Sequence, residues 1–118
     1  MARASGTAAR RYAEAAFQLA SRDDAHDAYG EGLDLASTLL GEARVLGVLR
    51  NPARPLRQRL DLVDAMVAKR VPAPVLKLVG LLVERGKIDR LPAVAAEYHR
   101  LLNKERGVVG QSPPRRRR

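Results

Sequence analysis

Val75-Leu76-Lys77-Leu78-Val79-Gly80-Leu81-Leu82-Val83 holds one charge, at Lys77, and is otherwise apolar almost all the way round a helix. A helix of this kind must be covered on every side. A central place in a bundle would do this, and so would a partner laid against an open side, because large apolar patches mark interaction sites. Ahead of it, Val71-Pro72-Ala73-Pro74 reads as a connector, with Pro74 in the first helical turn, where its missing N–H is not needed. Behind it, Glu84 and Arg85 return to polarity, and Gly86 suits a left-handed C-terminal position.

Working outward, apolar residues recur at helical spacing in nearly every segment, and no run of alternating β-branched residues argues for strands. The spacing predicts an all-α domain. A first helix is expected over about residues 5–20, capped by Ser5 or Thr7, with Tyr12, Ala15, Ala16 and Leu19 on one stripe. A second should start at Asp23 or Asp24 as cap and run through Leu33, Ala36, Leu39 and Leu40 to about Ala43. Gly30 and Gly32 weaken its middle and predict a kink or break near residue 30. A short helix over 45–50 ends at Asn51-Pro52, since the residue before a proline is pushed out of the α region.

Further helices are expected from Leu56 to Arg70, with a stripe of Leu60, Val63 and Val67, and over 75–83. The last should follow Asp89 as N-cap, with Pro92 in its first turn, Ile88 stapled to Ala93, and Leu91, Val94, Tyr98 and Leu101 facing the core beside Ala95 and Leu102. The expectation is therefore a six-helix bundle over residues 1–107. Residues 108–118 should form a disordered basic tail, because they hold Gly110, two prolines and four arginines.

Charge looks at first like a nucleic-acid signature, with 22 bases against 13 acids in 118 residues. Much of the excess sits at the ends, in Arg3, Arg10, Arg11 and the run Arg115–Arg118. The body over 12–114 is close to neutral. Within it, residues 23–42 hold six acids and no Lys or Arg, whereas 44–59 hold Arg44, Arg50, Arg54, Arg57 and Arg59 and no acid. Complementary faces of neighbouring helices would explain these blocks. No apolar run approaches the roughly 18 residues of a membrane span, and Met1–Leu19 has no apolar secretion core, so a soluble cytoplasmic protein is expected.

The chemistry available is narrow. The absence of cysteine excludes a disulfide scaffold, a thiolate metal site and a cysteine nucleophile. His26 and His99 are the only histidines and neither lies in a zinc-binding helical pattern, so no metal is expected. Gly30 and Gly32 lack the preceding strand and third glycine of a dinucleotide fingerprint, and there is no phosphate loop, so no cofactor is expected. Asp61 and Asp64 share a helix face, as paired catalytic carboxylates would, but Arg57 beside them points to a solvated face. With 3% aromatics, base-stacking platforms are not expected. Arg115–Arg118 leave one alternative of a different class, a small basic helical RNA-binding module.

Two stretches carry a resemblance. Ala9-Arg10-Arg11-Tyr12-Ala13-Glu14-Ala15-Ala16-Phe17 resembles the start of the delta subunit of rotary ATP synthases, whose mitochondrial relative is the oligomycin-sensitivity-conferring protein. Leu81-Leu82-Val83-Glu84-Arg85-Gly86-Lys87-Ile88-Asp89-Arg90-Leu91-Pro92, with Tyr98 beyond, resembles that family's most recognisable segment, and the order and spacing agree over about residues 8–107. The resemblance implies a six-helix N-terminal domain on top of the catalytic head, in a non-catalytic stator subunit at the cytoplasmic face of the cell membrane, membrane-associated only through the complex. It implies further that the first and fifth helices form a groove for the N-terminal helix of an alpha subunit. Carried over by position, Tyr12, Ala15, Leu78, Leu81 and Leu82 would line it. Family members continue into a second domain that engages the peripheral stalk, where this sequence has Gly107-Val108-Val109-Gly110 and the arginines. Contact with the stalk's b subunit is thus in doubt, and either a shortened chain or a split subunit would explain the difference.

Overall fold

Ala9, Ala13, Ala16 and Ala20 recur at intervals of four, three and four residues, which sets four small side chains on one face of a helix. In the computed structural model, which describes residues 2–107 with side chains from residue 8 onward, that face is the buried one. The basic tail expected over 108–118 lies outside the described residues. The helix, α1 (Ala2–Asp23), begins upstream of Ser5 and Thr7, so both sit within it and neither is its cap. The expected stripe is also rotated: Ala16 is buried, Tyr12 and Leu19 are half-buried, and Ala15 is exposed. In an alanine-rich helix the larger residues suggest the wrong face. Here the small ones are inside because they let a neighbour approach closely.

Five more helices complete the described chain: α2 (His26–Leu40), α3 (Ala43–Arg50), α4 (Leu56–Val67), α5 (Ala73–Glu84) and α6 (Leu91–Arg106), the last preceded by a 3₁₀ turn at Ile88–Arg90. The all-α, six-helix expectation is met. The most extensive pairing is α1 with α6, followed by α2 with α6 and α4 with α5. Tyr98 of α6 is fully buried, its ring edge-on to Phe17 with centroids 5.9 Å apart, and its hydroxyl donates to the His26 carbonyl at 2.7 Å. Burial pushes the Tyr98 phenol up to about 12, so it remains a donor at neutral pH.

Helix ends show where local reading went astray. Asp24 does not cap α2. It adopts φ 52°, its N–H reaches the Ser21 carbonyl, and the Ala25 N–H reaches Ala20, which together close the C-terminus of α1 in a left-handed Schellman turn. Ala25 is the N-cap of α2 and offers no side-chain bond. Asp23 at the end of α1 accepts from Arg22 and from the Tyr29 hydroxyl, and these bonds hold its carboxyl below the usual range. Gly86 makes the same kind of turn at the end of α5, with φ 70° and bonds from Gly86 to Val83 and from Lys87 to Leu82. At α6 the N-cap is Arg90, not Asp89, because the chain enters through the 3₁₀ turn. Ile88 is buried while Ala93 is exposed, so the expected staple does not form.

Gly30 and Gly32 do not break α2, which runs unbroken from His26 to Leu40. They serve packing. A Cβ on Gly30 would lie 3.1 Å from the His99 ring and 3.2 Å from the Tyr98 ring, and one on Gly32 would lie 2.9 Å from Pro72 Cδ and 3.3 Å from Val71 Cβ. Gly32→Ala sets a helix-propensity gain of about 1 kcal/mol against an overpacking cost of about 1–3 kcal/mol next to a rigid proline ring. The expected result is a net loss of about 1 kcal/mol, seen as a fall in Tm of about 5 °C by circular dichroism; a rise would show that the Pro72 connector yields freely.

The charge blocks pair differently from the expectation. The acidic block meets α6: Asp34 bonds His99 at 2.9 Å and Asp27 bonds Arg106 at 2.9 Å. No ion pair between the 23–42 block and the 44–59 arginines occurs among the described residues; Arg59 instead donates to the Arg54 carbonyl at 3.0 Å. These pairs are surface features, each worth roughly 0–1 kcal/mol. No charged or polar residue is buried among the described residues, so the core is held by apolar packing.

Candidate functional site

The helical repeat divides α5 into two rows. Val75, Val79, Leu82 and Val83 turn inward and are at most 1% exposed, whereas Leu78, Leu81 and Arg85, at intervals of three and four, form an outer row. The bundle therefore covers only part of the apolar segment. On α1 the outer row is Ala8, Tyr12, Ala15 and Leu19, next to the buried alanines. The two outer rows face each other across an open groove of about 400 Å³ lined by Ala8, Arg11, Tyr12, Ala15, Leu78, Leu81, Arg85 and Lys87.

A smaller hollow bounded by Ala16, Leu19, Tyr29, Pro74 and Val75 shares Ala15 and Leu78 with this groove and continues it. The start of α1 thus lies by the end of α5 and the reverse, so the groove runs between antiparallel helices. From Ala8 to Leu19 it follows α1 for twelve residues, eleven helical steps or a span of about 17 Å. Half-exposed Tyr12, Leu19, Leu78 and Leu81 give it an apolar floor. A helix laid there would bury that floor through anchors at i, i+3, i+4 and i+7.

Four of the five residues expected to line a groove, Tyr12, Ala15, Leu78 and Leu81, are brought together here. Leu82 is not among them. It is 0% exposed and belongs to the core, because one step along the helix from Leu81 turns a side chain by about 100°. Spacing alone missed Arg11, Arg85 and Lys87 at one end of the groove. The signal was present for two of them: Arg11 lies four residues before Ala15, and Arg85 lies seven after Leu78 and four after Leu81.

The other candidates are surface features. His99 pairs with Asp34, and His26 lies 3.0 Å from the Ser21 hydroxyl with its ring against Phe17. Asp61 and Asp64 are exposed and border a shallow depression with Lys69 and Arg70. Among the described residues no cluster of His, Asp or Glu has the make-up of a metal site.

An apolar groove between the first and fifth helices of a six-helix bundle agrees with what the sequence resembles, and the profile of the ATP synthase delta (OSCP) subunit matches residues 8–111. The chain belongs to this family. Among its relatives, the ATP synthase subunit delta of Geobacter sp. (strain M21) is 36% identical over 103 residues, covering 86% of this chain and 57% of its own length. The subunit delta of Geobacter metallireducens is 33% identical over 107 residues, covering 89% and 59%. That of Dehalococcoides mccartyi is 37% identical over 100 residues, covering 85% and 54%. The chain thus spans somewhat more than half the length of the family members it matches.

Proposed function

We propose that the chain is a non-catalytic peripheral-stalk subunit of a proton-translocating ATP synthase, and that it holds the catalytic head by seating the N-terminal helix of an alpha subunit in the α1–α5 groove. Membership of the delta (OSCP) family supports the stalk role. The groove is the single observation that carries the contact: on a family chain, two antiparallel helices leave Tyr12, Leu78 and Leu81 half-exposed around a trough about three helical turns long.

A stator contact must resist torque without chemistry of its own. Burial of an apolar helix face suits this, because it gives affinity without a nucleotide or metal and depends weakly on salt. None of the described helices is long and apolar enough to cross a membrane, so association with the membrane sector at its cytoplasmic face would come through the assembled complex. The described residues supply the head-binding half of a stator link, and no described surface is assigned to the stalk's b subunit.

Calorimetric titration tests the reading. The probe is a synthetic peptide of about 20 residues, long enough for a helix of about 30 Å, copied from the N-terminus of the alpha subunit encoded in the same genome. Binding at one site with a negative heat-capacity change is the expected result. No binding, together with salt-sensitive retention of RNA by the intact chain, would overturn the stator reading in favour of a basic nucleic-acid module.

A further inference from the structure

The groove is apolar along its length but not electrically even. At one end Arg11 comes from α1, Arg85 is the C-cap residue that follows α5, and Lys87 comes from the turn beyond it, so three bases from two chain segments converge on one mouth. No acid lines the groove or its continuation. The nearest carboxylates in sequence, Glu14, Glu84 and Asp89, are exposed and outside the lining, and among the described residues none of the three bases has an ion-pair partner. The other end is lined by Leu19, Tyr29, Pro74 and Val75, with no charged residue in its lining.

Three of the acids elsewhere pair with other bases: Asp27 with Arg106, Asp34 with His99, and Glu97 with Arg100 and Arg10. Three like charges at the mouth of an apolar trough raise the local positive potential. That field is stronger beside a low-dielectric floor than over open surface. A docked helix with a neutral or basic residue there would leave the bases to repel it or one another.

We infer that the groove reads charge as well as shape: its occupant is an amphipathic helix whose apolar stripe ends in one or more carboxylates, and these lie against Arg11, Arg85 and Lys87. The acidic end fixes which way the helix lies, since the opposite mouth has no base to receive it. This rests on the groove being the docking site. It adds to that reading a partner chemistry, acidic at one end of the stripe, and a polarity.

Three synthetic peptides with identical apolar anchors test it, differing only in two residues at one end of the stripe, Glu-Glu, Gln-Gln or Lys-Lys. At low salt the Glu peptide should bind about tenfold more tightly than the Lys peptide, with Gln between, and the gap should narrow as salt is raised. The double variant Arg85→Glu, Lys87→Glu alters exposed or half-exposed side chains, and should keep its helical circular dichroism while inverting the order. Inversion separates recognition in the groove from any effect of the charges on the peptide's own helix. Equal affinities within about twofold would overturn the charge reading and leave the groove standing. Absence of binding by all three, together with no binding of the alpha-subunit peptide, would remove both.

Discussion

Leu78→Asp should abolish binding of the alpha-subunit peptide, weakening it by about a hundredfold or more, while leaving the bundle folded. Leu78 is the residue shared by the groove and its continuation, so it sits at the midpoint of the trough. In the free chain it is half-exposed and an aspartate there stays hydrated. In the complex the same carboxylate would be covered by an apolar helix face, with no cation beside it. Burying an unpaired polar group costs several kcal/mol, and about 2.8 kcal/mol is already a hundredfold in Kd. Leu78 is a sharper test than Leu81, because Arg85 lies one turn beyond Leu81 and would partner a carboxylate at that position. Calorimetry measures the affinity, and a thermal melt within about 3 °C of the parent shows that the bundle is intact. Undiminished binding would place the partner elsewhere.

Leu82→Ala should do the reverse. The side chain is 0% exposed, on the inward row with Val75, Val79 and Val83, so its removal leaves a cavity. Truncation of a buried leucine costs about 2–5 kcal/mol, enough to lower Tm by roughly 10 °C or more in a domain of this size. Peptide affinity, measured well below the melting transition, should stay within about threefold of the parent, because the residue does not reach the groove. Leu82→Met, nearly equal in volume, should retain most of the stability, with a loss below about 1.5 kcal/mol. A Leu82→Ala chain that keeps its Tm but loses the peptide would mean that this leucine turns outward.

The two leucines show how far a sequence can be read. That residues 75–83 were too apolar to stay uncovered was legible in the sequence, and so were the six helices, punctuated by Asn51-Pro52, Pro74 and Gly86. Which leucine faces the partner did not follow. Where every neighbour is apolar the pattern has no polar side to orient it, and only packing within the bundle distinguishes buried Leu82 from Leu81. A related ambiguity rotated the expected stripe of α1, in which alanine holds eight of the 22 positions and marks no face by size.

Turn chemistry misled in a different way. Asp23 and Asp24 have the composition of a helix start, but Asp24 also tolerates the left-handed conformation, and the chain uses it to end α1. Gly30 and Gly32 weaken an isolated helix, yet inside the bundle each admits a ring or a proline that a Cβ would displace, so tertiary packing outweighs propensity. The pairing of the charge blocks was not legible at all. It depends on which helices become neighbours, and the acidic face of α2 met α6 rather than the arginines that follow it in sequence.

Backbone amide shifts of the ¹⁵N-labelled chain, recorded as the alpha-subunit peptide is added, test the proposed docking most directly. Saturable changes should concentrate over residues 8–19 and 74–87 and be smallest around Arg44, Arg54 and Arg57. Changes centred on those arginines, or no change at all, would contradict a helix seated between α1 and α5.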